Sequence, residues 1–140
     1  VPTLCTLSGA KLEINGKELR CGIPEIHQLA SSPTLRSRLV IFNIKEARDG
    51  ALTPDAFLAA VKRRLTELEI EATPELEFAA PGEPGPFARR VLKVKDTVLP
   101  GYGIILRHLS ETDSLRVQEV GLGAKRRMGC GLFLPLKREE

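Results

Sequence analysis

Residues 110–135 read SETDSLRVQEVGLGAKRRMGCGLFLP, and the way this stretch divides decides how the sheet is closed. Ser110 suits a helix N-cap, and Asp113, three residues on, lies close to capping-box spacing. Leu115 and Val120 follow within the helix, and Gly121 is the glycine expected just past its end. The run CGLFLPL then reads as a final strand. Between helix and strand, Gly121, Gly123, Gly129 and Gly131 surround three consecutive cations, Lys125, Arg126 and Arg127.

Working outward from this stretch gives the rest of the order. RSRLVIFNIKE, from Arg36 to Glu46, reads as a strand with Val40, Phe42 and Ile44 on one side and Leu39 and Ile41 on the other. RDGALTP turns the chain. Thr53 then suits an N-cap, Pro54 the first helical position and Asp55 the first turn. The helix is expected to run to about Ile70, with Phe57, Leu58, Val61, Leu65 and Leu68 as its buried stripe. ATPELEFAA is a short strand with Leu76 and Phe78 facing one way, and PGEPGPF is a loop. ARRVLKVKD and YGIILRHL are two more strands around a turn at TVLPG. The order from Arg36 is therefore βαββαβ, an α+β ferredoxin-like (RRM-like) arrangement.

Ahead of it, KLEINGKELRC carries Asn15-Gly16 between alternating residues and predicts a tight hairpin with Leu12 opposite Leu19. GIPEIHQLASSP is a connector. The hairpin belongs either to the edge of the main sheet or to a preceding unit.

Composition narrows the classes. The chain has 140 residues, 42% of them hydrophobic and 28% charged, with a formal net charge of +3. That predicts one soluble globular domain with a real core. Neither a bilayer-spanning run nor a secretory leader is read. Cys5, Cys21 and Cys130 are odd in number and fit no zinc or CxxC spacing, so reduced thiols in a cytoplasmic protein are expected. His27 and His108 are isolated from each other in sequence, and no metal site is expected.

The glycine stretch fails the common phosphate motifs. No Gly-Lys-Ser or Gly-Lys-Thr occurs, and a helix precedes the stretch rather than following it. Gly121 and Gly123 match two positions of a dinucleotide fingerprint, and too little chain follows for the remainder. No nucleotide cofactor is expected. Glycines let another backbone come close and can aim N–H groups at phosphate oxygens. Three adjacent cations supply charge, so a polyanion is the ligand class indicated. The plainer alternative is a helix cap and turn with solvated cations. Arg89, Arg90, Lys93 and Lys95 form a second basic group, with Arg89, Lys93 and Lys95 assigned to one face by alternation; they could follow an RNA stem or be a solvated sheet face. Arg36 and Arg38 share a strand face and make a weaker case. Aromatic residues are 4% of the chain, which speaks against a stacking platform for single strands.

VQEVGLGAKRRMGCGLFLP also resembles the C-terminal glycine-rich signature of the RAMP superfamily, and more narrowly the CRISPR repeat-processing endoribonucleases of the Myxan-type branch. The similarity continues through SRLVIFNIK, PDAFLAAVKRRLTELEI and RRVLKVKDTVLPGYGIIL. The resemblance implies two ferredoxin-like domains in tandem, with residues 1–34 the end of a first, largely absent domain and its linker, and residues 35–140 the second. It implies binding of the stem-loop of CRISPR repeat RNA, cleavage without metal or cofactor by the RNA's own 2′-hydroxyl, and 2′,3′-cyclic phosphate products. It implies retention on the guide RNA beside Cascade-type backbone subunits, without a membrane. It maps Gly121, Gly123, Gly129, Gly131 and Lys125 to Arg127 onto the family's loop. Catalytic residues stay unassigned: the family's histidine usually lies in the first domain, His27 falls in the connector and His108 at a strand end. A non-catalytic subunit capping a guide-RNA hairpin is the alternative, and a small-molecule regulatory domain would explain the fold but not the cations.

Overall fold

The computed structural model describes residues 5–43 and 52–136. The elements in chain order are β1 (Lys11–Ile14), β2 (Lys17–Arg20), β3 (Leu35–Val40), α1 (Pro54–Glu67), β4 (Thr73–Leu76), β5 (Arg89–Val94), β6 (Thr97–Arg107), α2 (Glu111–Val120), a 3₁₀ turn (Arg126–Met128) and β7 (Leu134–Pro135).

β6 is the spine of the main sheet. It pairs antiparallel with β3 on one side and with β4 and β5 on the other, and β7 pairs with β3. β4 and β5 lie end to end along β6, matching Ile104–Arg107 and Thr97–Tyr102 respectively. They act as one strand interrupted by an excursion over residues 78–87. The spatial order is thus second, third, first and fourth strand, which is the ferredoxin-like βαββαβ fold. α1 and α2 cover one face of this sheet. Phe57, Val61, Leu65 and Val117 meet Leu35, Val40, Leu76, Tyr102, Ile104 and Leu106 in one core. Burying a side chain such as Phe57 contributes roughly 1.5–3 kcal/mol.

Local chemistry explains the helix boundaries. Thr53 Oγ1 accepts from the Ala56 N–H at 3.2 Å, and Pro54 occupies the first helical position. Ser110 Oγ accepts from the Asp113 N–H at 3.1 Å, and Gly121 ends α2 at φ 66°. The α1 stripe is narrower than its pattern suggests: Ala60 is buried with Phe57, Val61 and Leu65, and Leu68 is half-buried.

Three expectations need correction. TVLPG is not a turn: the chain reverses at Lys95-Asp96, with Lys95 at φ 53°, and β6 starts at Thr97. Lys95 therefore sits in the turn and not on the strand face of Arg89 and Lys93. β3 starts at Leu35 and shifts register between Ser37 and Val40, so Val40 and Ile41 are both buried instead of alternating; the expected strand residues Ile44 to Glu46 lie outside the described residues. Phe78 does not join Leu76 in the core and is 77% exposed.

The hairpin has the expected register, Leu12 opposite Leu19, with Asn15 and Gly16 both at positive φ. It forms its own two-stranded sheet and is not an edge of the main one. The connector that follows is tied to α2. The Ser32 N–H donates to the buried Ser114 Oγ at 2.9 Å, and Gln118 Nε2 donates to the Ala30 carbonyl at 2.8 Å. Among the described residues no helix is long and apolar enough to cross a membrane.

The glycine stretch is clamped onto the end of β3. The Gly131 N–H donates to Leu39 O at 2.7 Å, the Ala124 N–H to Ile41 O at 2.7 Å, and the Leu122 N–H to Gly131 O at 3.0 Å. A Cβ on Gly131 would stand 1.8 Å from Leu122 O, and one on Gly123 2.3 Å from Ile41 O. Gly129 faces open space at φ 84°. Gly131→Ala should therefore lose on the order of 3–5 kcal/mol of unfolding free energy, while Gly129→Ala should lose about 1–2 kcal/mol from its left-handed backbone alone. Urea denaturation of the two variants checks this; equal losses would contradict the packing.

Candidate nucleic-acid interface

The face of the main sheet away from the helices carries the charge. Strand alternation brings Arg36, Glu77 and Arg90 together there. Arg36 donates to Glu77 Oε1 through Nε at 2.9 Å and Nη2 at 2.5 Å. Arg90 Nη1 donates to Glu77 Oε2 at 3.0 Å and to the Arg38 carbonyl at 2.8 Å, and its Nε donates to Glu83 Oε1 at 3.2 Å. Gly103 lies beneath this network: a Cβ there would meet Glu77 Oε2 at 2.1 Å. The Arg90 side chain is 16% exposed and its donors are committed inside the protein.

The remaining cations divide by the same criterion. Arg126 caps α2 by donating to the Val120 carbonyl, which suits the negative end of the helix dipole. Lys125, Arg127, Arg89, Lys93, Lys95 and Arg38 are exposed and make no ion pair among the described residues. Of the expected site residues, then, Arg90 and Arg126 serve the fold, and Lys125, Arg127, Arg89, Lys93 and Lys95 face solvent. The glycine N–H groups are mostly occupied: Gly121 donates to Val117 O, Gly129 to Arg126 O and Gly131 to Leu39 O.

A cavity of about 320 Å³ lies between β5 and the glycine stretch. Arg38, Leu39 and Glu83 line it with Arg90–Leu92 of β5 and Met128–Cys130 of the glycine stretch. A second, of about 570 Å³, shares Arg38 and Gly129 and continues along Leu132, Leu134 and Leu136. The two make one groove that shares Arg38 and Gly129, and Arg38 makes no ion pair among the described residues. Arg38 is the residue that sequence patterning undervalued. Its alternation with Arg36 was visible, but not that Glu77 neutralises Arg36 and leaves Arg38 free.

Neither histidine lines this groove. His27 Nε2 lies 3.2 Å from Glu25 Oε2 in the exposed connector. His108 follows β6 and contacts Thr73 Oγ1 through Nδ1 at 3.0 Å. β6 brings this end beside Leu35, whereas the glycine stretch rests at Leu39 and Ile41. The two ends of β3 are separated by on the order of 15–20 Å. Among the described residues no group of three His, Cys, Asp or Glu side chains is placed to hold a metal ion.

The family model described as Cas6 Crispr matches residues 1–138 of the chain. The chain belongs to the Cas6 family. It is 42% identical over 135 residues to the CRISPR-associated endonuclease Cas6 of Myxococcus xanthus, a match covering 96% of this chain and 52% of that protein. The chain thus spans about half the length of this Cas6 relative.

Two groups in the groove are electrostatically biased. The Glu83 carboxyl is held below its ordinary pKa of 4.5 by the Ala80 N–H, and then by Arg90 and Arg38. The buried Cys130 thiol is pushed up by desolvation. Because the folded Glu83 pKa is depressed, its contribution to holding the 80–83 turn is complete above about pH 4.5 and fades as pH falls through the lower folded value. The Ala80 amide shift, followed by NMR, should titrate below pH 4.5, and a midpoint above that would contradict the contact. At neutral pH Cys5 should alkylate readily and Cys130 should resist until the protein unfolds, as peptide mapping after iodoacetamide would show.

Proposed function

We propose that this chain supplies the RNA-gripping, C-terminal half of a CRISPR repeat-processing endoribonuclease, with residues 1–34 the end of a preceding domain and residues 35–140 the second. The carrying observation is the groove. It joins the glycine stretch to β5 and is lined by Arg38, which makes no ion pair among the described residues, in a chain that belongs to the Cas6 family.

On this reading the stem-loop of the repeat lies along Arg89, Lys93 and Lys95, and the phosphates near the cut meet Lys125, Arg127 and Arg38. A-form RNA is held mainly by phosphate, 2′-hydroxyl and shape contacts, which cations provide. The reaction needs no metal. The RNA's 2′-oxygen attacks the adjacent phosphorus, the P–O5′ bond breaks, and a 2′,3′-cyclic phosphate and a 5′-hydroxyl result. Cations stabilise the extra charge on the pentacovalent phosphate. Lys125 and Arg127 suit that role because the clamp on β3 fixes their backbone. Retention on the cleaved guide RNA follows from the same contacts and would place the protein beside Cascade-type backbone subunits in the cytoplasm.

The position of the histidines favours a second reading as well. Neither His27 nor His108 lines the groove, so residues 35–140 could hold a guide-RNA hairpin without cutting it. Incubation with repeat RNA in EDTA separates the two: 2′,3′-cyclic phosphate ends mark the endoribonuclease, and binding without cleavage marks the hairpin-capping subunit.

Binding itself is tested by Lys125→Gln together with Arg127→Gln, which leaves the Arg126 helix cap intact. Loss of two phosphate contacts should lower the slope of log affinity against log salt by about 1.5. An unchanged slope with unchanged affinity would remove the groove from the RNA site.

A further inference from the structure

Two of the five phenylalanines form a surface feature. Phe78 and Phe87 face each other across an isolated antiparallel bridge at the base of the 78–87 excursion. Their rings stack, with centroids 5.9 Å apart and planes 18° from parallel. Phe87 packs against the core, whereas Phe78 is 77% exposed. One ring is thus anchored, and the other lies on it with its far side open to solvent.

The frame that holds the pair is stiff. The Ala79 N–H donates to Pro86 O at 3.1 Å and the Ala88 N–H to Glu77 O at 2.8 Å, bracketing both rings. Pro81, Pro84 and Pro86 fix φ in the excursion. Glu83 ties its tip inward, accepting from the Ala80 N–H at 2.8 Å and from Arg90. A ring held this way has already lost its freedom, so a flat ligand can stack on it with little further ordering.

Charge selects the ligand. Arg89 follows Phe87 by two residues, with its N–H donating to Phe87 O at 2.8 Å, and its side chain is exposed and unpaired. Lys93, likewise unpaired, continues on the same side of β5. Glu77 and Glu83, the carboxylates on either side of Phe78 in the chain, are paired with Arg36 and Arg90. A single open aromatic face followed by unpaired cations matches a nucleobase joined to its phosphates, because every base offers a π-face and stacking is tolerant of sequence.

We infer that Phe78 is a stacking step for an unpaired base of the RNA, with Arg89 taking the adjoining phosphate. The inference rests on the reading of the chain as an RNA binder and extends it to a single-stranded segment beside the stem. The register puts Phe87 and Arg89 on the side of the sheet that carries Tyr102 and the helices, so RNA held in the groove would pass around the β5 edge to reach this step.

The sequence contains no tryptophan, so Phe78→Trp makes residue 78 the one indole reporter. The probe is a repeat stem-loop with a short oligoadenylate flank, compared with the same stem-loop carrying an abasic flank. Emission from residue 78 should be quenched saturably by the adenylate probe and not by the abasic one. Phe78→Leu should weaken the adenylate probe about tenfold while leaving the salt slope unchanged, and Phe78→Tyr should retain affinity. Binding seen by anisotropy with no selective quenching would overturn the stacking step and leave the RNA-binding reading standing; the open ring would then belong to a protein contact. Absence of binding by either probe would overturn both. A thermal melt of Phe78→Leu close to that of the parent keeps the affinity loss separate from misfolding.

Discussion

Backbone meets backbone where the glycine stretch crosses the end of β3, and the placement of charge depends on that contact. The Leu122 and Gly131 peptides pair with each other while Gly131 and Ala124 pair with β3. A side chain at Gly123 or Gly131 would occupy the space of a carbonyl oxygen. The clamp occupies N–H groups that a phosphate would otherwise use and holds the backbone around Lys125 and Arg127. Within the proposed function a polyanion is gripped by side chains on a held backbone, with little room for a nest of free amides. It also separates the glycines by role: Gly123 and Gly131 are required for packing, while Gly129 forms part of the groove wall.

Glu77 performs a comparable sorting on the sheet face. A carboxylate between Arg36 and Arg90 neutralises one charge and commits both guanidinium groups. Arg38 projects from the same strand and is spared. Pairs of this kind, partly buried and hydrogen-bonded at several atoms, hold geometry more than they add net stability. Their consequence is that residues of one type on one face have opposite fates. Arg90 helps close the base of the 78–87 excursion, and Arg38 faces the ligand space.

Much of this was legible in sequence, where a feature depends on neighbours in the chain. Asn15-Gly16, Thr53-Pro54, Ser110 with Asp113, and Gly121 each specify a local backbone geometry, and each is found there. What failed depends on distant partners. TVLPG resembles a turn because Pro100 and Gly101 are poor strand residues. Pro100 is tolerated because β6 at that point has β5 opposite it and β3 pairs only from Tyr102 onward. Gly101 is required because a Cβ would stand 2.0 Å from Val40 O. The register shift in β3 makes the same point, since it is a property of the pairing with β6 that alternation along β3 does not display. The low aromatic content argued against a stacking surface, and composition could not show that Phe78 and Phe87 would meet at the surface.

The chemistry of the groove separates gripping from cutting. Arginine stays protonated at any physiological pH, and an exposed lysine does so below about pH 10. Within the proposed function Lys125, Arg127 and Arg38, as cations, are suited to stabilising a phosphate. The carboxylates beside them are poor bases for the same electrostatic reason that makes them good partners: Glu83 is held ionised below its ordinary range, and a weaker conjugate base draws a proton less strongly. A thiol at Cys130 is buried and remains protonated. Within the proposed function, proton transfer must then come from a group with a pKa near neutrality brought to the groove from outside it. The one histidine of residues 35–140 is His108, which follows β6 at the opposite end of the sheet from the glycine stretch. Binding by this half is expected to persist when cleavage is lost, because the groups that hold the phosphate and the groups that move the proton are different residues in different places.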